Sequence, residues 1–275
     1  MVNALTRRQR ETVTASQASA PTQVSAPAHA ARRELAAICR LMAHFGLDDI
    51  TSTHLSVVVA ERPGHYLLNP YGMMLREVKP ADAIEVDPDG RIVDPGTGWP
   101  LNKTAIVIHG AIHAARRDVG AAIHAHTAAG IAIGALPEGL LPLSQWALKF
   151  HGRIGYHDYD GAARAGGLGR AIAEDLGPDN LVMILRNHGT LAIGDDAPAA
   201  FIRLHYLEQA CRSQLLLGAR PQAALVMPSD AVCARAQREQ NQGTVAHDGA
   251  FLPVGHREWP ALLRLLDQTQ PGWDA

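Results

Sequence analysis

GAAIHAHT, spanning Gly120–Thr127, and LVMILRNHGTLAIG, spanning Leu181–Gly194, are the two stretches whose reading decides the fold. Each begins with a short apolar run of the kind buried within a sheet, and each carries histidine at the end of that run. Side chains two apart on a strand point to the same face. His124 and His126 can therefore offer two imidazoles to one ion while Ala125 faces the opposite way. In the second stretch the turn Asn187-His188-Gly189 follows the strand, and Gly189 permits a bend sharp enough to aim His188 into a cleft. Neutral imidazole is a common zinc ligand, and three protein ligands with an open fourth position are the pattern of a catalytic metal site. His124, His126 and His188 are the candidate metal ligands.

Outward from these strands, helices alternate with further strands. Ile108, Ile112 and Ala115 form one stripe of a predicted helix over Ala105–Arg116, and another helix is predicted over Thr127–Leu136, followed by a Pro-bounded loop to Leu143. Gly166–Leu176 reads as a helix stopped by Gly177, and Asp195 or Asp196 as the cap of a long helix through Ala219. Nearer the N-terminus, Leu35, Ile38, Leu41, Met42 and Phe45 fall at helical spacing from about Arg32, with Gly46 as the stop. HLSVVVAE and HYLLNP then read as strands joined through Pro63-Gly64, and AIEVDPDGRIV as a hairpin around Asp87–Gly90. Residues 1–30 are rich in Ser, Thr, Ala, Gln and Pro and read as a disordered tail. Residues 31–220 make the main domain, and 221–275 a C-terminal helical extension of it. Without a strict βαβ rhythm, the sheet is expected to be mixed.

A chain of 275 residues, 47% hydrophobic, can bury a sizeable core. Its formal net charge of −2 gives no electrostatic reason to expect nucleic acid or a membrane as partner, so a small-molecule substrate is the expectation. Cys39, Cys211 and Cys233 lack metal or disulfide spacing and fit a reducing compartment. With no secretory signal and no apolar run near the roughly 18 residues that span a bilayer, a cytoplasmic location is expected.

DVGAAIHAHTAAG, VMILRNHGTLAIG, PAAFIRLHYLEQAC and LLNPYGMMLREVKPADAIEVDPDG together resemble the class II aldolase/adducin N-terminal domain family, over about residues 32–220. The wording HGAIHAARRDVG and GYHDYDGAA is similar to its adducin branch. The resemblance implies a three-layer α/β/α sandwich around a mixed, largely antiparallel sheet, and a homotetramer. It implies His124, His126 and His188 as ligands of a divalent metal, zinc first, with manganese or iron as alternatives. In the family's aldolases that ion polarises a substrate carbonyl and stabilises an enediolate.

Five positions depart from the aldolase pattern. Ala105 stands where the aldolases have their glutamate acid/base, Lys103 and Thr104 where they have a phosphate-binding Ser-Ser pair, and His54 where they have an asparagine. Gly72 is retained, but Tyr71 replaces the threonine before it. His54, Gly72 and Thr104 are thus the candidate substrate-binding residues. For proton transfer the candidates are Lys103, His109 and His113, the two histidines sharing a helix face at i and i+4, with a structural role as the alternative. His151, Tyr156, His157, Asp158 and Tyr159 form a polar cluster in which Asp158 is a candidate to orient a histidine. Three readings follow: a metal-dependent lyase acting on a small hydroxylated carbonyl or carboxylate, a non-catalytic adducin-like binding or assembly module, and a non-haem iron oxygenase.

Overall fold

The protein is described by a computed structural model covering residues 26–159, 161, 167–221 and 224–275. In chain order the elements are α1 (Ala26–His44), β1 (His54–Val58), β2 (Tyr66–Leu68), β3 (Ile84–Val86), β4 (Ile92–Asp94), α2 (Lys103–Ala115), β5 (Ala121–Ala125), α3 (Ala128–Gly134), α4 (Gln145–Leu148) and β6 (Ile154–His157). Then come α5 (Leu168–Leu176), β7 (Val182–Leu185), β8 (Gly189–Gly194), α6 (Ala197–Leu215), α7 (Asp230–Asn241), β9 (Thr244–Val245), β10 (Phe251–Leu252) and α8 (Trp259–Thr269).

Local chemistry sets most of these boundaries. Gly46, at φ +63°, closes α1, with Leu47 N–H donating back to the Met42 carbonyl. Side-chain oxygens of Asn102, Thr127 and Asp196 accept backbone N–H groups at the starts of α2, α3 and α6. The first helix begins at Ala26 rather than near Arg32, because Ala28 and Ala31 are buried against the core and extend its apolar stripe. The part of the expected tail at 26–30 is therefore helical; the rest of it, residues 1–25, lies outside the described residues, as does Gly166 at the expected start of α5. The C-terminal extension is not purely helical, since β9 and β10 pair as a small antiparallel hairpin.

Eight strands form one sheet in the order β4-β3-β2-β1-β5-β8-β7-β6, antiparallel throughout except for the parallel pair β6 and β7. This is the mixed, largely antiparallel sheet of the expected α/β sandwich. Strand alternation divides its two faces. Leu55, Val57, Ala121, Ile123, Val182, Ile184 and Ala192 pack toward α1 and α6, whereas Ala122, Met183, Leu191 and Ile193 pack with Ile108 and Ile112 of α2 and Leu168 and Ile172 of α5. The same alternation sends His54, Ser56 and His124 to the α2 face. The C-terminal segment is tied down by Trp273, which is buried, lies under the Arg33 guanidinium and donates its indole N–H to Asp267.

Candidate metal centre

His124 sits on β5, His126 just past its end, and His188 in the tight β7–β8 turn, where Asn187 adopts φ +56°. Two adjacent strands, β5 and β8, bring the three together. Gly189 is required for this approach: a Cβ there would run into the Ala125 carbonyl and crowd the His126 ring. The three Nε2 atoms converge, with His124 and His126 at 2.9 Å, His126 and His188 at 3.2 Å, and His124 and His188 at 3.3 Å.

Hydrogen bonds behind the rings decide which nitrogens carry lone pairs. His124 Nδ1–H donates to the Thr190 carbonyl at 2.9 Å, and His126 Nδ1–H to the Asp49 carboxylate at 3.2 Å. A carbonyl or carboxylate can only accept, so both Nε2 atoms are left as lone-pair donors facing the common point. Burial, reinforced by the neighbouring imidazoles, holds His124 well below the usual histidine range and lowers His188 to about 4, which keeps both neutral near pH 7. Three nitrogens bound at about 2.0–2.1 Å around one tetrahedral ion stand about 3.3 Å apart, so the donor set fits zinc or a similar divalent ion.

The other candidates fall into two groups. His54 lies directly opposite His124 in the β1–β5 register, with ring centroids 4.8 Å apart. His109 and His113 of α2 are buried, and His109 contacts the centre through His54, to which it hydrogen bonds at 2.9 Å. Among the described residues, Lys103, Thr104 and Gly72 make no hydrogen bond, ion pair or ring contact with the three candidate ligands. Lys103 is exposed at the start of α2, Thr104 donates its N–H to the Asn102 cap, and Gly72 is left-handed beneath Trp99. Ala105 is buried among Tyr66, Leu68 and Val86, an apolar setting with no acid in the glutamate's place.

Sequence reading missed Asp49, for which no local pattern gives a signal, and Ser56, which two-residue alternation from His54 would have placed on the same face. The polar cluster resolves differently from its expectation. Asp175 of α5, not Asp158, holds His157, at 2.7 Å, while Asp158 is solvent-exposed and 4.0 Å from Arg186. Tyr159 does reach the centre, its ring edge-on to His188 with centroids 6.1 Å apart. Cys39 and Cys211 are buried, and burial pushes both thiols upward, consistent with inert core residues.

A mostly antiparallel sheet with helices on both faces and three imidazoles meeting at a strand end defines an α/β sandwich whose histidine triad can hold a divalent ion. The chain belongs to the family of the class II aldolase and adducin N-terminal domain, which matches residues 33–215. It is similar to a crystal structure of an aldolase II superfamily protein from Pseudomonas syringae, at 39% identity and TM-score 0.82, covering 91% of this chain and 97% of that one. L-fuculose 1-phosphate aldolase from Glaciozyma antarctica PI12 is similar at 27% identity and TM-score 0.75, covering 93% and 95% of the two chains. Alpha-adducin of Rattus norvegicus is 35% identical over 245 residues, which span 86% of this chain and 33% of adducin.

Proposed function

We propose that the chain is a divalent-metal-dependent lyase, aldolase-like or decarboxylating, that acts on a small hydroxylated carbonyl or carboxylate compound. The observation that carries this reading is the convergence of three Nε2 lone pairs within 3.3 Å, two of them aimed by acceptors behind the rings. When bound, a zinc ion supplies a Lewis acid for a carbonyl or carboxylate oxygen. The protein's own groups do the rest: Thr190 and Asp49 orient the histidines, His54 borders the centre beside His124, and the Tyr159 ring stands edge-on to His188. Lys103, Thr104 and Gly72 remain in this proposal as groups recruited around a bound substrate, and a homotetramer acting in the cytoplasm is its setting.

The test is metal analysis of protein reconstituted with zinc, manganese or iron, followed by turnover screening of aldehydes, hydroxy acids and sugar phosphates. About one equivalent of metal, with turnover lost in His188→Ala, supports the reading. Less than about 0.1 equivalent, with His124→Ala indistinguishable from wild type, rejects it.

The apolar surroundings of Ala105 favour a second reading, an adducin-like binding or assembly module without catalysis. It predicts a metal-loaded protein that turns over none of these substrates under air or under nitrogen. Turnover that requires both iron and oxygen would instead select an oxygenase.

A further inference from the structure

His126 lies one residue past the end of β5, whose pairing with β8 stops at Ala125 and Thr190, so the strand ladder does not extend to it. Thr127, the next residue, is extended at φ −73° and ψ 145°, and the alternation of the strand continues through it. His126 thus turns toward the metal centre and Thr127, like Ala125, toward the side where α6 packs.

There the Thr127 hydroxyl donates to Glu208 Oε2 at 2.5 Å and accepts the Gly130 N–H at 3.1 Å, capping α3. Thr127 and Glu208 are both buried, Glu208 at 4% exposure. A carboxylate so placed is costly unless its oxygens are satisfied. Arg212 Nε donates to Oε1 at 2.6 Å from one turn along α6, which leaves Oε2 for Thr127. The helix itself is a fixed platform, because the buried Arg203 donates to the Ile193 carbonyl of β8 at 2.8 Å. Gly130 lets the capped turn come close to a second candidate ligand's support. A Cβ there would fall 2.7 Å from Thr190 Cγ2 and 2.9 Å from Thr127 Oγ1, and Thr190 is the residue whose carbonyl holds His124. One buried carboxylate therefore fixes the turn that joins His126 to the Thr190–His124 pair.

We propose that Glu208 is a positioning residue for the metal centre: through Thr127 it fixes the backbone beside His126, and so sets how well the three imidazoles converge and how tightly they hold a metal. The proposal rests on the metal-centre reading above for the identity of the ligands. A purely structural Glu208 would matter for stability and leave that convergence unchanged.

Three variants of the full chain separate the two roles. Glu208→Leu removes the acceptor, and Glu208→Gln keeps an oxygen for Thr127. Ile172→Ala, in the core on the opposite face of the sheet, lowers stability without touching the turn. Nuclear Overhauser contacts from the His126 ring to the His124 and His188 rings, whose centroids lie 4.6 and 5.0 Å away, are read on metal-free protein. They are expected to be lost in Glu208→Leu and kept in Glu208→Gln and Ile172→Ala.

Competition against a chromophoric chelator then gives zinc affinity, expected to be about tenfold weaker in Glu208→Leu and close to wild type in the other two. Unchanged ring contacts or unchanged zinc affinity in Glu208→Leu overturns the proposal, as does an equal loss in Ile172→Ala. Should Glu208→Leu fail to fold, Thr127→Val removes the same hydrogen bond from its other end, with Thr127→Ser, which keeps it, as the control. Failure of the wild-type chain to bind zinc would reject the metal reading, while the ring contacts, read without metal, still decide whether Glu208 positions His126.

Discussion

The Asp49 carboxylate stands 3.2 Å from His126 Nδ1, joining a loop after the first helix to a candidate ligand at the end of a central strand. The loop holds its shape through Asp49 N–H donating to Thr53 Oγ1 at 2.8 Å. Carboxylates in this position fix a ligand's tautomer and raise its basicity, and their loss typically weakens metal binding by about 10–100-fold. Asp49→Ala is expected to raise the zinc dissociation constant by that range, and Asp49→Asn, which keeps one acceptor oxygen, by less. Competition titration against a chromophoric chelator measures both; values within twofold of wild type would remove Asp49 from the centre.

Metal binding to the native state alone must raise stability. At free zinc about 100 times the dissociation constant the gain is about 2.7 kcal/mol. Thermal melts with and without zinc are expected to separate for wild type and to coincide for His124→Ala and His188→Ala, each of which removes one of the three converging nitrogens.

Acid should destabilise this fold through its buried neutral histidines. His113 is lowered to about 4 from an unfolded value of 6.5, mainly by burial, so the unfolded chain binds the extra proton between those values. Stability from this group is complete above about pH 6.5 and declines as pH falls toward 4, by about 1.4 kcal/mol per pH unit and about 3 kcal/mol in all. His109, also lowered by burial, adds to the same slope. Urea midpoints from pH 7.5 to 4.5 check the sign; a flat or rising midpoint on acidification contradicts it.

Gly189→Ala places a methyl group against the Ala125 carbonyl and the His126 ring, where neither backbone can yield without separating β5 from β8. A loss of about 2 kcal/mol or more is expected, with reduced zinc stoichiometry in the fraction that folds. Denaturant unfolding together with metal analysis reads both effects.

Ile50 adopts φ +46°, a left-handed conformation that costs a non-glycine residue about 1–2 kcal/mol, while its side chain is 67% exposed. Ile50→Asn is expected to raise stability by about 1 kcal/mol and leave zinc affinity unchanged. A fall in the urea midpoint would show that the isoleucine side chain contributes more than its exposure suggests.

Local pattern alone determined much of this protein. Continuous apolar runs set out β5 and β7, apolar spacing near four set out α2 and α6, an aspartate cap placed the start of α6, and the spacing of His124 and His126 put two imidazoles on one face. These features depend on neighbours within a few residues, so a linear reading reaches them. β6 did not announce itself, because Ile154–His157 is short and mixes polar with apolar residues, and its parallel pairing with β7 spans a helix. Only the tertiary structure decided that His188 joins the pair, that His54 faces His124 in register, that Asp49 rather than a nearby acid backs His126, and that Ala105 is enclosed by apolar side chains. Each of those relations is a contact between segments far apart in the chain, set by strand register and helix packing.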